Sequence, residues 1–279
     1  MRKLILTTSL MLLVGAAGAA AAAPSAEVRE AAARVTVIPE ARSDVAVFLV
    51  KANPRLPIWI SKVGDKVVIR GDVRHLITRC GGGWDGKPSV GVFMRGRFAF
   101  ADLPQVVIRT PLDVHVTAGD AAFGTIAHAR SVDFASHGCG DWTVADVDGQ
   151  MRLGLVGSGD IHAGSAGTAA VDIAGSGDVS AQSMRNGLSA NIAGSGDLTA
   201  AAVNGPMSVH VAGSGDVKVR SGQVTTMKVS VGGSGDVRFG GVAGTLEASV
   251  AGSGDVNVAH VTGPVVKHVA GSGDITVGR

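Results

Sequence analysis

Acidic residues set in glycine corners are the first chemistry this sequence offers. Gly-Ser-Gly-Asp occurs seven times, beginning at Gly157, Gly175, Gly194, Gly213, Gly233, Gly252 and Gly271, with steps of 18, 19, 19, 20, 19 and 19 residues. The aspartates so placed are Asp160, Asp178, Asp197, Asp216, Asp236, Asp255 and Asp274. Gly138-Cys139-Gly140-Asp141 is an eighth copy with Cys in place of Ser, and Ala118-Gly119-Asp120 reads as a worn ninth. Hard cations take carboxylate and carbonyl oxygens, so the seven aspartates are candidate Ca²⁺ ligands and Ca²⁺ is the one cofactor the sequence raises. The known Ca²⁺ nonapeptide repeat has about half this period and separates its last Gly from its Asp, which this repeat does not. The competing reading is that the tetrapeptide only makes turns. Its glycines permit positive φ and close stacking, and Ser and Asp bond nearby backbone N–H groups. Stacked about 5 Å apart, neighbouring aspartates repel by just under about 1 kcal/mol in water, so corner donors or bound cations must offset them.

Other candidates are sparser. Cys80 and Cys139 are the only cysteines; in an oxidising compartment an even count reads as one disulfide. His75 and His137 lie near them in sequence, without the ligand spacing of a zinc motif. His162, His210, His260 and His268 fall on different registers of the repeat and read as surface residues. A glycan-cleaving solenoid needs carboxylates gathered on one face; outside the corners, Asp146 and Asp148 share a face by period two. No nucleophile elbow, phosphate loop or zinc-protease helix occurs. Trp84, in the Gly-rich stretch that starts at Cys80, reads as a cover for neighbouring surface in preference to a ligand platform.

The elements that must position these residues are short strands. After each corner Asp, apolar residues alternate with polar ones, as in Val217-Lys218-Val219, Val237-Arg238-Phe239 and Val256-Asn257-Val258. Before each corner the same alternation appears in Met207, Val209 and Val211 against Ser208 and His210. Period two buries one face and wets the other. A unit of 19 residues cannot bury its apolar face alone, but stacked copies can. The predicted fold is all-β, a parallel β-helix over 101–279 of about nine to ten coils, roughly 45 Å long at about 4.8 Å per coil. Residues 24–100 form a strand-rich N-terminal segment that starts and caps it; across 27–110, strands are expected over 35–38, 44–50, 57–60, 66–69 and 106–108, with a loop over 79–97. Lys267 stands at an inward position of the last coil, where its stem covers the open end and its ammonium reaches water. An exposed last rung invites end-to-end self-association.

Composition supports this reading. The chain has 279 residues, 41 of them Gly, with 4% aromatics and no Tyr, which suits a narrow coil interior and not a conventional core. Residues 1–23 begin Met1-Arg2-Lys3, continue apolar over 4–14 and end in Gly and Ala, the layout of a cleaved secretory signal peptide. The apolar run is too short for a membrane span, and no later segment predicts one. The remainder balances 23 bases against 23 acids, which argues against a nucleic-acid partner. Its charge is unevenly placed: 24–115 carry 14 bases and 9 acids, whereas 116–279 carry 9 bases and 14 acids.

The leader, the segments Val35-Thr-Val-Ile-Pro-Glu and Val67-Val-Ile-Arg-Gly-Asp, and the serial Val-Ala-Gly-Ser-Gly-Asp-Val units together resemble the "putative auto-transporter adhesin, head GIN domain" family, over roughly 35–279. The resemblance implies an exported bacterial protein with a right-handed β-helical fold and carries no catalytic residue across. With Gly271-Ser-Gly-Asp followed only by Ile-Thr-Val-Gly-Arg, no translocator barrel is expected in these 279 residues. The sequence therefore predicts a non-enzymatic, periplasmic, cell-surface or secreted β-solenoid that binds an envelope glycan or protein or serves structurally. A Ca²⁺-binding solenoid or a solenoid polysaccharide lyase or hydrolase is the alternative.

Overall fold

A computed structural model describes residues 23–82 and 88–278 of the chain; the leader, apart from its last residue, and Trp84 lie outside these residues. Its N-terminal part contains β1 (Ser25–Arg29), β2 (Ala32–Pro39), β3 (Ala46–Lys51), β4 (Trp59–Val63), β5 (Lys66–Arg70), β6 (Ile77–Gly82), β7 (Pro88–Val92), β8 (Gly96–Ala99), β9 (Gln105–Thr110) and β10 (Asp113–Ile126). The protein is all-β, built on a β-solenoid of about nine turns.

Each coil presents one strand before its corner and one after it. We call these the A and B faces. On the A face, Ser131–Gly138 lies parallel on the first half of β10, followed by Gln150–Gly157, Thr168–Gly175 and Leu188–Gly194. On the B face, Trp142–Val144 lies on the second half of β10, followed by Ile161–Ala163, Val179–Met184 and Leu198–Val203. The alternation read from sequence points apolar residues inward in unbroken columns. One runs Val116, Phe134, Leu153, Val171, Ala190, Val209, Val229, Ala248, and all of these are buried. The bulkiest residues, Phe134 and Leu153, stand at adjacent early levels, and the later levels narrow to Val and Ala.

The stack does not follow chain order at its first levels. β1 and β2 lie beside β10, and β5 and β9 lie on the far side of β1 and β2. The chain thus starts in the second layer, moves outward to build the first, and returns through β10. β3 then pairs antiparallel with β9, and β4 antiparallel with β5. These two strands close the parallel stack at this end.

The loop expected over 79–97 is corrected. The described residues there form β6, β7 and β8, an antiparallel sheet separate from the solenoid. Val90, Val92 and Phe98 bury against Leu56, Val73, Leu103 and Phe123 in a second, smaller core. The Gly-rich run hides a period-two pattern that only this neighbouring surface makes profitable.

Candidate functional site

The corner geometry explains the tetrapeptide. Its first glycine has φ between 131° and 142° in all seven perfect copies, a region that L side chains rarely adopt. A Cβ on either glycine would also collide with the backbone oxygen of the glycine one coil earlier, as at Gly194 against Gly175 and Gly196 against Gly177. That oxygen is occupied: Gly175 O accepts the N–H groups of Ser195 at 2.9 Å and Gly196 at 3.1 Å. The serine serves through its N–H. Hydroxyl contact between corners occurs at Ser253 and Ser272, 3.2 Å apart, so the expected turn-closing role of the Ser side chain gives way to its backbone.

The aspartates form one column along the rod. Each carboxylate accepts the backbone N–H of the next aspartate: Asp141 from Asp160 at 3.0 Å, Asp160 from Asp178 at 3.0 Å, Asp178 from Asp197 at 2.9 Å and Asp197 from Asp216 at 2.8 Å. Asp216, Asp236 and Asp255 continue the ladder to Asp274 at 2.8–2.9 Å. The Asp C=O accepts the N–H that follows the previous corner, as in Val179 to Asp197 at 2.8 Å. Asp160 to Asp255 are therefore each acceptor and donor in a continuous chain, which Asp141 opens as acceptor and Asp274 closes as donor. Among the described residues no group of three or more His, Cys, Asp or Glu side chains converges on a metal-sized space. Asp120 is not in this column. It pairs in register with Gly138, the first-glycine position, and has φ 58°; its carboxylate instead accepts the Glu30 N–H at 2.6 Å. The column has eight members and begins at Asp141.

Cys139, the Ser replacement of the eighth corner, is joined to Cys80 on β6 by a disulfide, with the Cα atoms 5.9 Å apart. The bridge holds the β6–β8 arm against the solenoid. Between arm and rod lies a cleft of about 420 Å³. Val50 of β3, Val106 and Val107 of β9, Phe100 and Phe123 give it apolar walls; the two rings meet edge to face at 5.4 Å. Arg34 stacks its guanidinium 4.7 Å above Phe100. Thr36, Gln105, Thr125, Thr143 and Asp141 supply the polar lining. Thr36, Thr125 and Thr143 belong to one outward column on the B face that continues through His162, Ser180 and Thr199. The cleft thus opens onto a stripe of hydroxyls and one imidazole.

The remaining predicted residues stay apart. Asp146 accepts the Ser165 N–H at 2.7 Å and Asp148 lies 3.3 Å from His128 Nε2, so each has its own structural partner. His162 bonds Ser180 Oγ at 2.9 Å. His210 and His268 share one outward column, contrary to the registers read from sequence, with Ser230 and Ser249 between them. Lys267 stands in the inward column beyond Ala248; it is exposed on the last rung, and its ammonium also donates to Ile275 O at 2.6 Å. The cleft itself escaped the sequence reading, because β2, β3, β9, β10 and the arm that build it are scattered in the chain.

The sequence matches the family described as "Putative auto-transporter adhesin, head GIN domain" over residues 105–220 and 185–278, and the chain belongs to that family. No curated protein matches it. Among solved structures, it is similar to the crystal structure of a putative lipid binding protein from Parabacteroides distasonis, with 16% identity, a TM-score of 0.53, and coverage of 91% of this chain and 92% of that one. At that identity the likeness shows a shared fold.

Proposed function

We propose that this member of the head GIN domain family is an exported, non-catalytic binding module of the bacterial envelope, and that the cleft under the β6–β8 arm is where its ligand is seated. The observation that carries this is the composition of the cleft. Its walls are largely apolar, and Arg34 and Asp141 are the ionisable residues lining it. A concave, mainly apolar site with a few placed polar groups is built to hold and orient a ligand. Catalysis of hydrolysis would need an acid and a base, or a nucleophile beside a base, across the scissile bond, and the lining offers no such pair. The hydroxyl stripe from Thr125 to Thr199 extends the site along the B face, which suits an amphiphilic or extended envelope component. The lipid binding named for the similar crystal structure accords with the apolar half of the lining. Export rests on the leader; no helix among the described residues is long and apolar enough to cross a membrane. The aspartate column, on this reading, is structural and needs no Ca²⁺.

The test is native mass spectrometry and thermal shift of the purified protein against a panel of bacterial lipids and envelope glycan fragments. Thr125→Trp, an exposed wall position, fills the cleft without touching the core. A panel member that stabilises the wild type and fails with Thr125→Trp supports the proposal. Turnover of any panel member, or binding indifferent to Thr125→Trp and Arg34→Glu, refutes it.

A further inference from the structure

The strands that close the parallel stack carry a surface the cleft does not use. Residues 46–66, covering β3, the link and β4, hold four bases (Lys51, Arg55, Lys62, Lys66) against one acid, Asp65. They also concentrate exposed apolar side chains outside the cleft: Val63 is 68% exposed, Trp59 54%, Phe48 51% and Ile60 42%. Soluble proteins scatter such residues singly; a set of them gathered beside lysines on the strands that end the stack marks an interaction surface. Burial fails here because β3 and β4 end the stack: each pairs on one side only, with β9 and β5. Lys62 meets no carboxylate among the described residues, and Lys51 donates to a backbone oxygen, Ala101 O, at 2.7 Å.

We propose that this strand-capped end docks on an anionic lipid surface, with Phe48, Trp59, Ile60 and Val63 entering the interfacial layer and Lys51 and Lys62 reaching the headgroup phosphates, while Lys66 stays paired with Glu27 at 3.0 Å. Apolar area combined with cationic charge is what interfacial binding requires, and Trp prefers the boundary between acyl chains and headgroups. A second copy of this chain is the poorer occupant, since a two-fold contact would bring two sets of excess positive charge together. Lysines on edge strands and the prolines of the link (Pro54, Pro57) likewise resist strand addition by another polypeptide. The charge division of the molecule also fixes an orientation. Residues 116–279 carry 14 acids and 9 bases, so an anionic surface attracts the capped end and repels the rod, which stands away from it. This surface is distinct from the cleft, and the inference does not depend on the cleft being occupied.

The experiment is cosedimentation of the exported, purified protein, its N-terminus fixed by mass spectrometry, with phosphatidylcholine vesicles made with and without phosphatidylglycerol. The protein should pellet with the anionic vesicles, remain in solution with the neutral ones, and be released by salt. Lys62→Ala should weaken partitioning about fivefold. Phe48→Ser/Trp59→Ser should abolish it while leaving the melting midpoint in place, and Thr125→Trp should bind vesicles like the wild type. Equal binding to both vesicle types, binding that survives high salt, or no binding at all overturns the proposal. So does concentration-dependent association in sedimentation velocity that Phe48→Ser/Trp59→Ser removes, which would give the surface to a second copy.

Discussion

Replacing a single aspartate of the column separates a hydrogen-bonding role from a cation-binding one. Asp197 is suited to this, being exposed and without an arginine partner among the described residues. Its carboxylate accepts the Asp216 N–H at 2.8 Å, and its own N–H donates to Asp178. Loss of a charge-assisted bond costs about 1.5 kcal/mol at the low end of its range, appropriate where water can reach the freed N–H. Against this, removing one charge relieves repulsion from Asp178 and Asp216, just under about 1 kcal/mol each at about 5 Å in water. Asp197→Ala should therefore be close to neutral. Asp197→Asn keeps an oxygen acceptor worth about 1 kcal/mol and relieves the same repulsion, so it should exceed both wild type and Asp197→Ala by about 1 kcal/mol, roughly 2–4 °C in midpoint. Salt should narrow the gap between wild type and Asn by screening the column. Thermal melting of the three proteins, with Ca²⁺ and with chelator, measures this. An Asn variant less stable than Ala, or a wild-type midpoint that rises with Ca²⁺ and falls with chelator, would refute the reasoning and restore the column as a cation site.

Two further outcomes follow from named contacts. Cys139→Ser restores the ordinary corner and removes only the bridge; with Cys80 and Cys139 59 residues apart, the loop-closure model assigns about 4 kcal/mol to it. Wild type under reductant and Cys139→Ser should share one lowered midpoint and lose protection of the β6–β8 amides in hydrogen exchange, and an unchanged midpoint would sink the clamp. Hydrogen bonds from Arg130, and then from Ser131, hold the Asp113 carboxyl at about 2, below its ordinary 3.8. The depressed folded pKa means that this stabilisation is complete above about pH 4 and is lost as pH falls through about 2, so wild type should lose stability more steeply than Asp113→Asn over that window. Parallel slopes for the two proteins would contradict it.

How much of this was legible depended on whether a feature repeats. The coil could be read because each 19-residue unit meets the same neighbours, so identical physics imposed identical residues at Gly194, Gly213 and Gly233. Where a unit meets different neighbours, the pattern is lost. β1 pairs with β5 and β10, and β2 with β9 and β10; these partners are distant in sequence and share no motif, so the out-of-order layers left no trace. Asp120 shows how spacing misleads: a non-glycine residue at the positive-φ position mimics a corner Asp although its register is that of the glycine. Pairing of Cys80 with Cys139 followed from the expected compartment, but nothing in the sequence showed a cleft beside the bridge, since Val50, Phe100 and Thr143 meet only in three dimensions.

The two halves of the charge pattern also have different causes, and this bears on how each should be used. The acid excess of the rod follows from its corners. Each level needs an acceptor for one backbone N–H in a position only a short side chain can reach, and Asp supplies it at every level from Asp141 to Asp255. Negative charge follows from that geometry. The basic, apolar end has no such requirement. Lys62, Trp59 and Val63 satisfy no side-chain partner among the described residues, and their exposure works against solubility. Charge that packing explains calls for no partner, whereas exposed charge and apolar area that packing leaves unexplained do. On that criterion the search for what this protein touches belongs at the capped end and the adjoining cleft, not along the conspicuous aspartate column.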